Sequence, residues 1–479
     1  MKKNQESNQT EIMKSTLNIP TAFLFLLMSW ASFSQAIKQE KLPEAYKNSN
    51  TADTTSIADI KWKDFFNETD LQKLIDTALV KNNDLLIADK NIAIANLQFK
   101  QAKWNNVPQA NAFVNASTNK LSENSLNGIN AGQALGQHHI EDYSAGLNLS
   151  WEADIWGKFR NTKKSARAEY MQTREARKAL QTSIVASVSN GFYDLLMLDA
   201  QLDIAKKTLA LNDSTLFVVK LQFDAGQLTS LAMQQSEAQR LVAAQLIPQL
   251  EQNIQLQENA LSVITGRFPT AKERNNQLNN LEIKGNLSAG IPTQLLSKRP
   301  DVKSAELALI AANAKVGIAK ASFYPALNIT ASAGVNAFEI DNWFTIPGSI
   351  FASVAGGITA PLLNSKRIRT RYEVSKLSRD QAALKFKQTI LVAVSEVSNA
   401  LARVEKQEQQ FNITKQRVEM LQKAITNANM LFKNGMATYL EVIIAQSNLL
   451  QAELELASVK KNRLSSNVEL YRALGGGWE

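Results

Sequence analysis

Two adjacent histidines, His138 and His139, are the only histidines in the 479-residue chain. Glu141 and Asp142 follow them, so the residue types of a metal site stand close together. Metals need three or four convergent ligands, and the pattern favours solvated loop residues between two strands over a weak surface metal site. The sequence has no phosphate loop, no nucleophile motif and no cysteine. We therefore expect no enzyme activity and no cofactor.

A second candidate for chemistry is Glu441, in the stretch LFKNGMATYLEVIIAQ from Leu431 to Gln446. Thr438 and Glu441 form a T-x-x-E pattern, in which the acid closes the first turn of a helix as part of a capping box. A carboxylate at the mouth of a pore can also form a charged ring that controls passage. Helix cap and pore gate are equally supported.

Both roles place Glu441 at a turn between two long helices. Gly435 is the only glycine between 364 and 474, where proline is absent, and Gly226 is the only glycine between 192 and 265. A lone glycine in a helical pattern is typical of a left-handed residue after a helix end. We predict that Thr229 and Thr438 begin the returning helices.

The two turns belong to an internal repeat, since Gly226 and Gly435 differ by 209 positions. Lys158 and Lys366 align at an offset of 208, which implies that the second repeat gained one residue between these lysines and the glycines. At the offset of 209, Ala232 takes the place of Glu441. Each long helix carries apolar residues at a seven-residue spacing, which predicts coiled-coil packing over roughly 100 Å. These seams are Val188, Leu195, Leu202, Leu209, Leu216 and Phe223, then Val397, Val404, Phe411, Val418, Ile425 and Phe432.

Before each long helix the apolar period changes to two. Four segments alternate, around 110–116, 143–151, 327–335 and 350–360. Each is long enough to cross a bilayer as a tilted strand, although each alone also fits a soluble sheet. Four strands cannot close a transmembrane barrel, which needs about eight, whereas three copies give twelve.

The N-terminus predicts export. An apolar run, PTAFLFLLMSWASF, ends in small residues, which is typical of a signal peptide cleaved after Ala36, with Met1 or Met13 as the start. The net charge of +9 is spread along the helices, so we expect no nucleic-acid partner. Because the chain has no cysteine, we also expect that it is not a lipoprotein.

These patterns divide the chain into ten segments. They are a signal peptide (1–36), a collar segment (37–70), short helices (71–107), a first β-hairpin (108–152), a first long helical hairpin (153–265), an equatorial linker (266–300), a short helix (301–323), a second β-hairpin (324–362), a second long helical hairpin (363–474) and a tail (475–479).

Three stretches carry long motifs. They are LLSKRPDVKSAELALIAANAKVGIAKASFYPALNITASAG (295–334), KWKDFFNETDLQKLIDTALVKNNDLLIA (61–88) and the C-terminal YLEVIIAQSNLLQAELELASVKKNRLSSNVELYRALGGGW. These stretches resemble the outer-membrane efflux channels of the TolC superfamily that serve RND-type pumps. The resemblance implies a mixed α and β fold, in which a homotrimer forms a twelve-stranded barrel in outer-membrane lipid. A helical coiled-coil tunnel continues this barrel into the periplasm. It also implies a periplasmic adaptor and an inner-membrane RND transporter as partners.

The same resemblance bears on the gate. Family members keep acids after the tip in a pattern similar to VDVLDA, and here LEVIIA retains Glu441 while Ile444 replaces the second acid. Phe432 matches an aromatic tip position and is a second gate candidate, although its heptad phase favours packing. Two other functions stay open: a channel for secreted polypeptides and an exported coiled-coil scaffold without a pore. The sequence has no signature of the transported substrate.

Overall fold

The computed structural model describes residue 46 and residues 56–136, 139–281, 290 and 292–479. The predicted signal peptide, both candidate start residues, the cleavage position Ala36 and His138 lie outside these residues. So do the rest of 37–55 and part of the equatorial linker.

Ten helices and four strands make up this part of the chain. In chain order they are α1 (Trp62–Phe65), α2 (Thr69–Lys81), α3 (Asn83–Trp104), β1 (Gln109–Lys120), α4 (Leu126–Leu135), β2 (His139–Glu152), α5 (Lys158–Asp224), α6 (Ser230–Ile264), α7 (Leu295–Lys298), α8 (Pro300–Ala321), β3 (Ala326–Ala337), β4 (Ile350–Thr359), α9 (Arg367–Lys433) and α10 (Tyr439–Ala473). Short 3-10 turns lie at Ile57–Asp59, Leu278–Asn280, Pro292–Gln294 and Ile340–Asn342.

The internal duplication is confirmed by the lengths of the helices. Both α5 and α9 have 67 residues, and both α6 and α10 have 35. One offset of 209 relates the two long helices from start to end, because Lys158 corresponds to Arg367 and Asp224 to Lys433. The predicted equivalence of Lys158 and Lys366 is therefore wrong. Lys366 takes the place of Gly157, and both cap their helix in the left-handed conformation, with φ of 62° and 74°.

The strands form one antiparallel sheet in the order β1-β2-β3-β4. Its register joins the apolar positions of all four strands, as in the row Val114, Ala145, Val335 and Ile350. The predicted alternation is confirmed, since one face is apolar and the other carries serine, threonine and asparagine. β1 and β4 are the edges of the sheet.

The long helices hold the other elements together. α5 packs against α2, α3 and α8 and also against α6 and α10. α9 packs against α8 and then α10. The main core surrounds the middle of α5, where Val188 and Phe192 are fully buried, and it extends to Trp62 and Leu71 of the N-terminal helices. A smaller cluster lies at the far ends of the four long helices.

Of the predicted heptad seam of α9, Val397, Val418, Ile425 and Phe432 are buried, and Val404 and Phe411 are partly buried. That of α5 is shifted, because Leu202, Leu209 and Leu216 are only partly buried. The buried seam in this half of α5 is Ala205, Thr208, Asn212, Thr215 and Val219. It lies between two helices, since Asn212 donates to Gln239 O of α6 (3.2 Å) and Thr215 accepts from Gln446 of α10 (2.7 Å).

The connection between β1 and β2 differs from the predicted loop. It contains α4, whose N-cap Ser125 accepts a hydrogen bond from the Gly128 N–H (3.1 Å). β2 begins at His139, so His139, Glu141 and Asp142 are strand residues rather than loop residues. Among the described residues, no three His, Asp or Glu side chains are grouped closely enough to hold a metal ion. Of the described helices, none combines the length and the apolar character that crossing a membrane requires.

Candidate functional site

The first turn of interest joins α5 to α6. Gly226 has a φ of 74°, and its N–H donates to Phe223 O (2.9 Å) while the Gln227 N–H donates to Gln222 O (2.8 Å). This pair of bonds is the Schellman motif, which satisfies the last carbonyl groups of a helix. Thr229 precedes α6 in extended conformation, and its side chain makes no capping bond.

The second turn repeats this geometry between α9 and α10. Gly435 has a φ of 68°, and the N–H groups of Gly435 and Met436 donate to Phe432 O (3.1 Å) and Leu431 O (2.8 Å). A Cβ at Gly226 or Gly435 would meet no atom within 4 Å. Backbone conformation, rather than lack of space, therefore favours glycine at both turns.

Glu441 distinguishes the second turn from the first. Its Oε2 atom accepts bonds from the Thr438 N–H (2.5 Å) and the Thr438 hydroxyl (3.0 Å). Glu441 thus caps α10 at its third residue, which is the arrangement of a capping box. The residue is nevertheless exposed, so its carboxylate remains accessible to solvent.

Ala232, the counterpart of Glu441, has the opposite environment. It is fully buried in the small cluster with Val219, Ile425, Phe432 and Val442. The ring of Phe432 is only 6% exposed and packs in this cluster. In this conformation Phe432 is a packing residue, and its role in a constriction stays a prediction.

One contact between the two turns was not predicted from the sequence. The Tyr439 hydroxyl donates to Gln235 Oε1 (2.7 Å) and so links the first turn of α10 to the second turn of α6. The four long helices therefore end in one unit, which we call the tip: residues 219–236 and 425–446. The tip joins both turns to a shared apolar cluster and leaves Glu441 at its surface.

A charged network ties the linker to the middle of the helices, and sequence reasoning also missed it. Arg299 is 5% exposed, binds both carboxylate oxygens of Asp301 (2.6 and 3.0 Å), contacts Glu396 (2.7 Å) and donates to Ala473 O (2.8 Å). Burial opposes the charge on Arg299, but the two acids outweigh it and raise its pKa. Burial likewise opposes the charge on Asp301, yet Arg299 holds its pKa below the usual range.

The chain matches known proteins over nearly its whole length. The profile of the outer membrane efflux protein family matches twice, at residues 74–267 and 291–476. The chain belongs to the outer membrane efflux protein family. The two matches correspond to the two repeats.

Individual relatives cover the chain equally well. The probable outer membrane lipoprotein SilC of Salmonella typhimurium is 29% identical over 436 residues, which are 90% of this chain and 91% of SilC. The solvent efflux pump outer membrane protein SrpC of Pseudomonas putida is 28% identical over 92% of this chain and 93% of the SrpC chain. A crystal structure of CusC superposes with a TM-score of 0.80 at 26% identity and covers 91% of this chain and 97% of CusC.

Family membership confirms the resemblance seen in the sequence. The chain is a TolC-type efflux channel subunit of the outer membrane, it serves as an exit duct, and it is not an enzyme. The alternative prediction, an exported coiled-coil scaffold without a pore, is therefore wrong. The predicted fold class, helical hairpins joined to a four-stranded antiparallel sheet with internal duplication, is also confirmed.

Proposed function

We propose that three copies of the chain close into a twelve-stranded outer-membrane barrel with a helical tunnel beneath it. The observation that carries this proposal is the pair of open edges, β1 and β4, beside an apolar sheet face. Backbone N–H and C=O groups cannot stay unpaired in lipid, so both edges need partners. Three copies that join β4 of one to β1 of the next satisfy every edge and give an even number of strands.

The helices support the same closure. α3 lies at one side of the described bundle, where Ile87 and Ile94 are 58% and 52% exposed at a seven-residue spacing. α9 lies at the other side, and its exposed residues Leu377, Leu384 and Leu391 repeat at the same spacing. Unpartnered heptad seams on both sides are what a ring of helices needs to continue from one copy to the next.

Aromatic side chains mark both ends of the sheet. Trp156 stacks on Tyr324 (4.6 Å between ring centres) where the sheet meets the helices, and Trp343 lies against Tyr143 (5.7 Å) at the other end. Such girdles are typical of transmembrane strands at the two lipid interfaces. β2 has 14 residues and is therefore long enough to cross the bilayer.

The tip is the proposed docking end for a periplasmic adaptor, through which an inner-membrane RND transporter delivers its cargo. Gly226, Thr229, Gly435 and Thr438 are all exposed there. Met436 beside them is 69% exposed, which leaves apolar surface for a partner helix. Glu441 is the proposed gate, because its accessible carboxylate would form a ring of three in the trimer.

We further propose that the protein stays in the membrane without a lipid on cysteine, since none of its 479 residues is cysteine. Intact mass spectrometry of the mature protein tests this, and an added acyl mass would contradict it.

The assembly is tested by light scattering and bilayer recording on the purified protein. We expect a protein mass three times that of the mature chain, together with single-channel currents. A monomer without currents would refute the proposal. Affinity purification from cells identifies the partners, and recovery of a polypeptide exporter instead of an RND transporter would assign the channel to secretion.

A further inference from the structure

One row of the polar sheet face differs from the others. Phe113 pairs with Gly146, Gly146 with Gly334, and Gly334 with Phe351. The neighbouring rows are polar: Asn115, Ser144 and Asn336 on one side, and Asn111, Asn148, Ser332 and Ser353 on the other. Two aromatic rings thus flank two glycines at one level. We call these four residues the phenylalanine band.

Burial shows that the two rings lie against the sheet. In each edge strand a single residue is not exposed, and it is Phe113 in β1 and Phe351 in β4. Val114, next to Phe113 but on the opposite face, is 72% exposed. A ring on an open sheet face is covered in this way when glycine neighbours leave room for it.

The two glycines have a backbone reason to remain glycine. A Cβ on Gly146 would collide with the carbonyl oxygen of Ala333, and a Cβ on Gly334 would collide with that of Ala145. β2 and β3 approach each other closely here, so no side chain fills the space between the two rings. The band is therefore an apolar level of the polar face, with bare backbone at its centre and one aromatic ring on each edge strand.

The rest of this face has little to hold an apolar molecule. Between Asp142 and Glu152, which mark its two ends on β2, the side chains of the face are uncharged and mostly serine, threonine or asparagine. In the trimeric channel proposed above this face lines the lumen, because the opposite face is apolar and meets lipid. Three copies then contribute six phenylalanine rings to the lumen wall.

We propose that the phenylalanine band is a binding site in the barrel lumen for aromatic and other apolar cargo, including organic cations. This inference rests on the proposed trimeric channel. Aromatic faces attract flat apolar molecules by stacking and organic cations through the ring quadrupole. Polar solutes find only exchangeable hydrogen bonds on the neighbouring rows, so the band would slow apolar cargo selectively.

Because the chain has no cysteine, a single introduced cysteine would be the only thiol available for labelling. Asn111→Cys introduces one thiol on the polar face, two residues from Phe113, and Val114→Cys introduces one on the apolar face. Each variant, in intact outer membranes, is treated with a membrane-impermeant maleimide. Tetraphenylphosphonium serves as the aromatic cation and tetramethylammonium as the control without rings. The protection assay is then repeated in Phe113→Ser/Phe351→Ser and Phe113→Leu/Phe351→Leu backgrounds.

We expect labelling of Asn111→Cys but not of Val114→Cys, and protection by tetraphenylphosphonium only. Removing both rings should raise the half-protecting concentration about fivefold or more, the ratio that corresponds to losing one or two exposed cation–π contacts. The leucine pair keeps the glycines covered and decides the result if the serine pair does not assemble.

Two failures are distinguishable. Labelling of Val114→Cys instead of Asn111→Cys would overturn the proposed barrel, and this inference with it. Labelling of Asn111→Cys with no protection, or with protection unchanged in both double variants, would overturn the phenylalanine band as a binding site while leaving the channel intact.

Discussion

Replacing Glu441 by glutamine and by alanine separates the two roles that one side chain can have. Glu441 Oε2 accepts both the Thr438 N–H and the Thr438 hydroxyl. Glutamine keeps an oxygen that can accept the N–H and removes the charge, whereas alanine removes both. A gate depends on the charge and a cap depends on the acceptor, so the two substitutions should differ.

The cap can be measured by local stability. Losing a capping interaction costs about 1 kcal/mol, which corresponds to roughly fivefold faster hydrogen exchange in the first turn of α10. We expect this acceleration in Glu441→Ala and little change in Glu441→Gln. The wild-type protein contains its own control, because Thr229 makes no capping bond and the first turn of α6 should already exchange faster than that of α10.

The gate is measured by single-channel recording of the purified channel. If the carboxylate ring closes the tip, Glu441→Gln and Glu441→Ala both raise the conductance of a nearly closed pore. Unchanged conductance in both variants, together with faster hydrogen exchange only in Glu441→Ala, would refute gating and leave Glu441 as a helix cap. Ala232→Glu should not create a second gate, because a carboxylate at this fully buried position would destabilise the tip cluster.

Three further predictions concern the turns and the charged network. Gly226→Val and Gly435→Val should each lower the free energy of unfolding by about 1–2 kcal/mol, because a β-branched residue resists a positive φ, and each should weaken adaptor binding in a pull-down. Asparagine at the same positions is the tolerated control. Full efflux in the double valine variant would show that the turns are not specialised. Arg299→Met should destabilise the protein by about 1–3 kcal/mol in denaturant unfolding, because it leaves the partly exposed acids Asp301 and Glu396 without their buried partner. A smaller loss than that of the exposed Arg417→Met would contradict this. Because Arg299 lowers the pKa of Asp301, this acid stabilises the folded protein above its unfolded pKa of about 3.9, and that stability is lost as the pH falls through its lower folded pKa. The melting temperatures of wild type and Asp301→Asn should therefore converge in acid. A difference that does not change with pH would refute the coupling.

Much of the fold follows from local patterns. The alternation in the four strands and the heptad of α9 predict which side chains face a neighbour, because strand and helix periods alone set those directions. Gly226 and Gly435 are predictable for a similar reason, since a left-handed residue after a helix depends on the backbone of that residue. The T-x-x-E pattern likewise predicts the capping contact of Glu441.

Other features depend on which elements meet. The buried seam of α5 runs through Asn212 and Thr215 because α6 and α10 approach from two sides, and no pattern within α5 specifies that direction. Ser125 and Gly136 delimit α4, which is too short for its apolar period to stand out in the sequence.

The sequence by itself determined the element types, the duplication, the two turns and the family, because periodicity, glycine placement and long motifs are local properties of the chain. Only the tertiary structure decided that Phe432 is packed while Glu441 is exposed, and that Arg299 joins the linker to α9. It also decided that Phe113 and Phe351 lie in one row of the sheet with two glycines between them. The physical reason is register: residues that are distant in the chain become neighbours only when strands pair and helices pack, and neither process can be read from either partner alone.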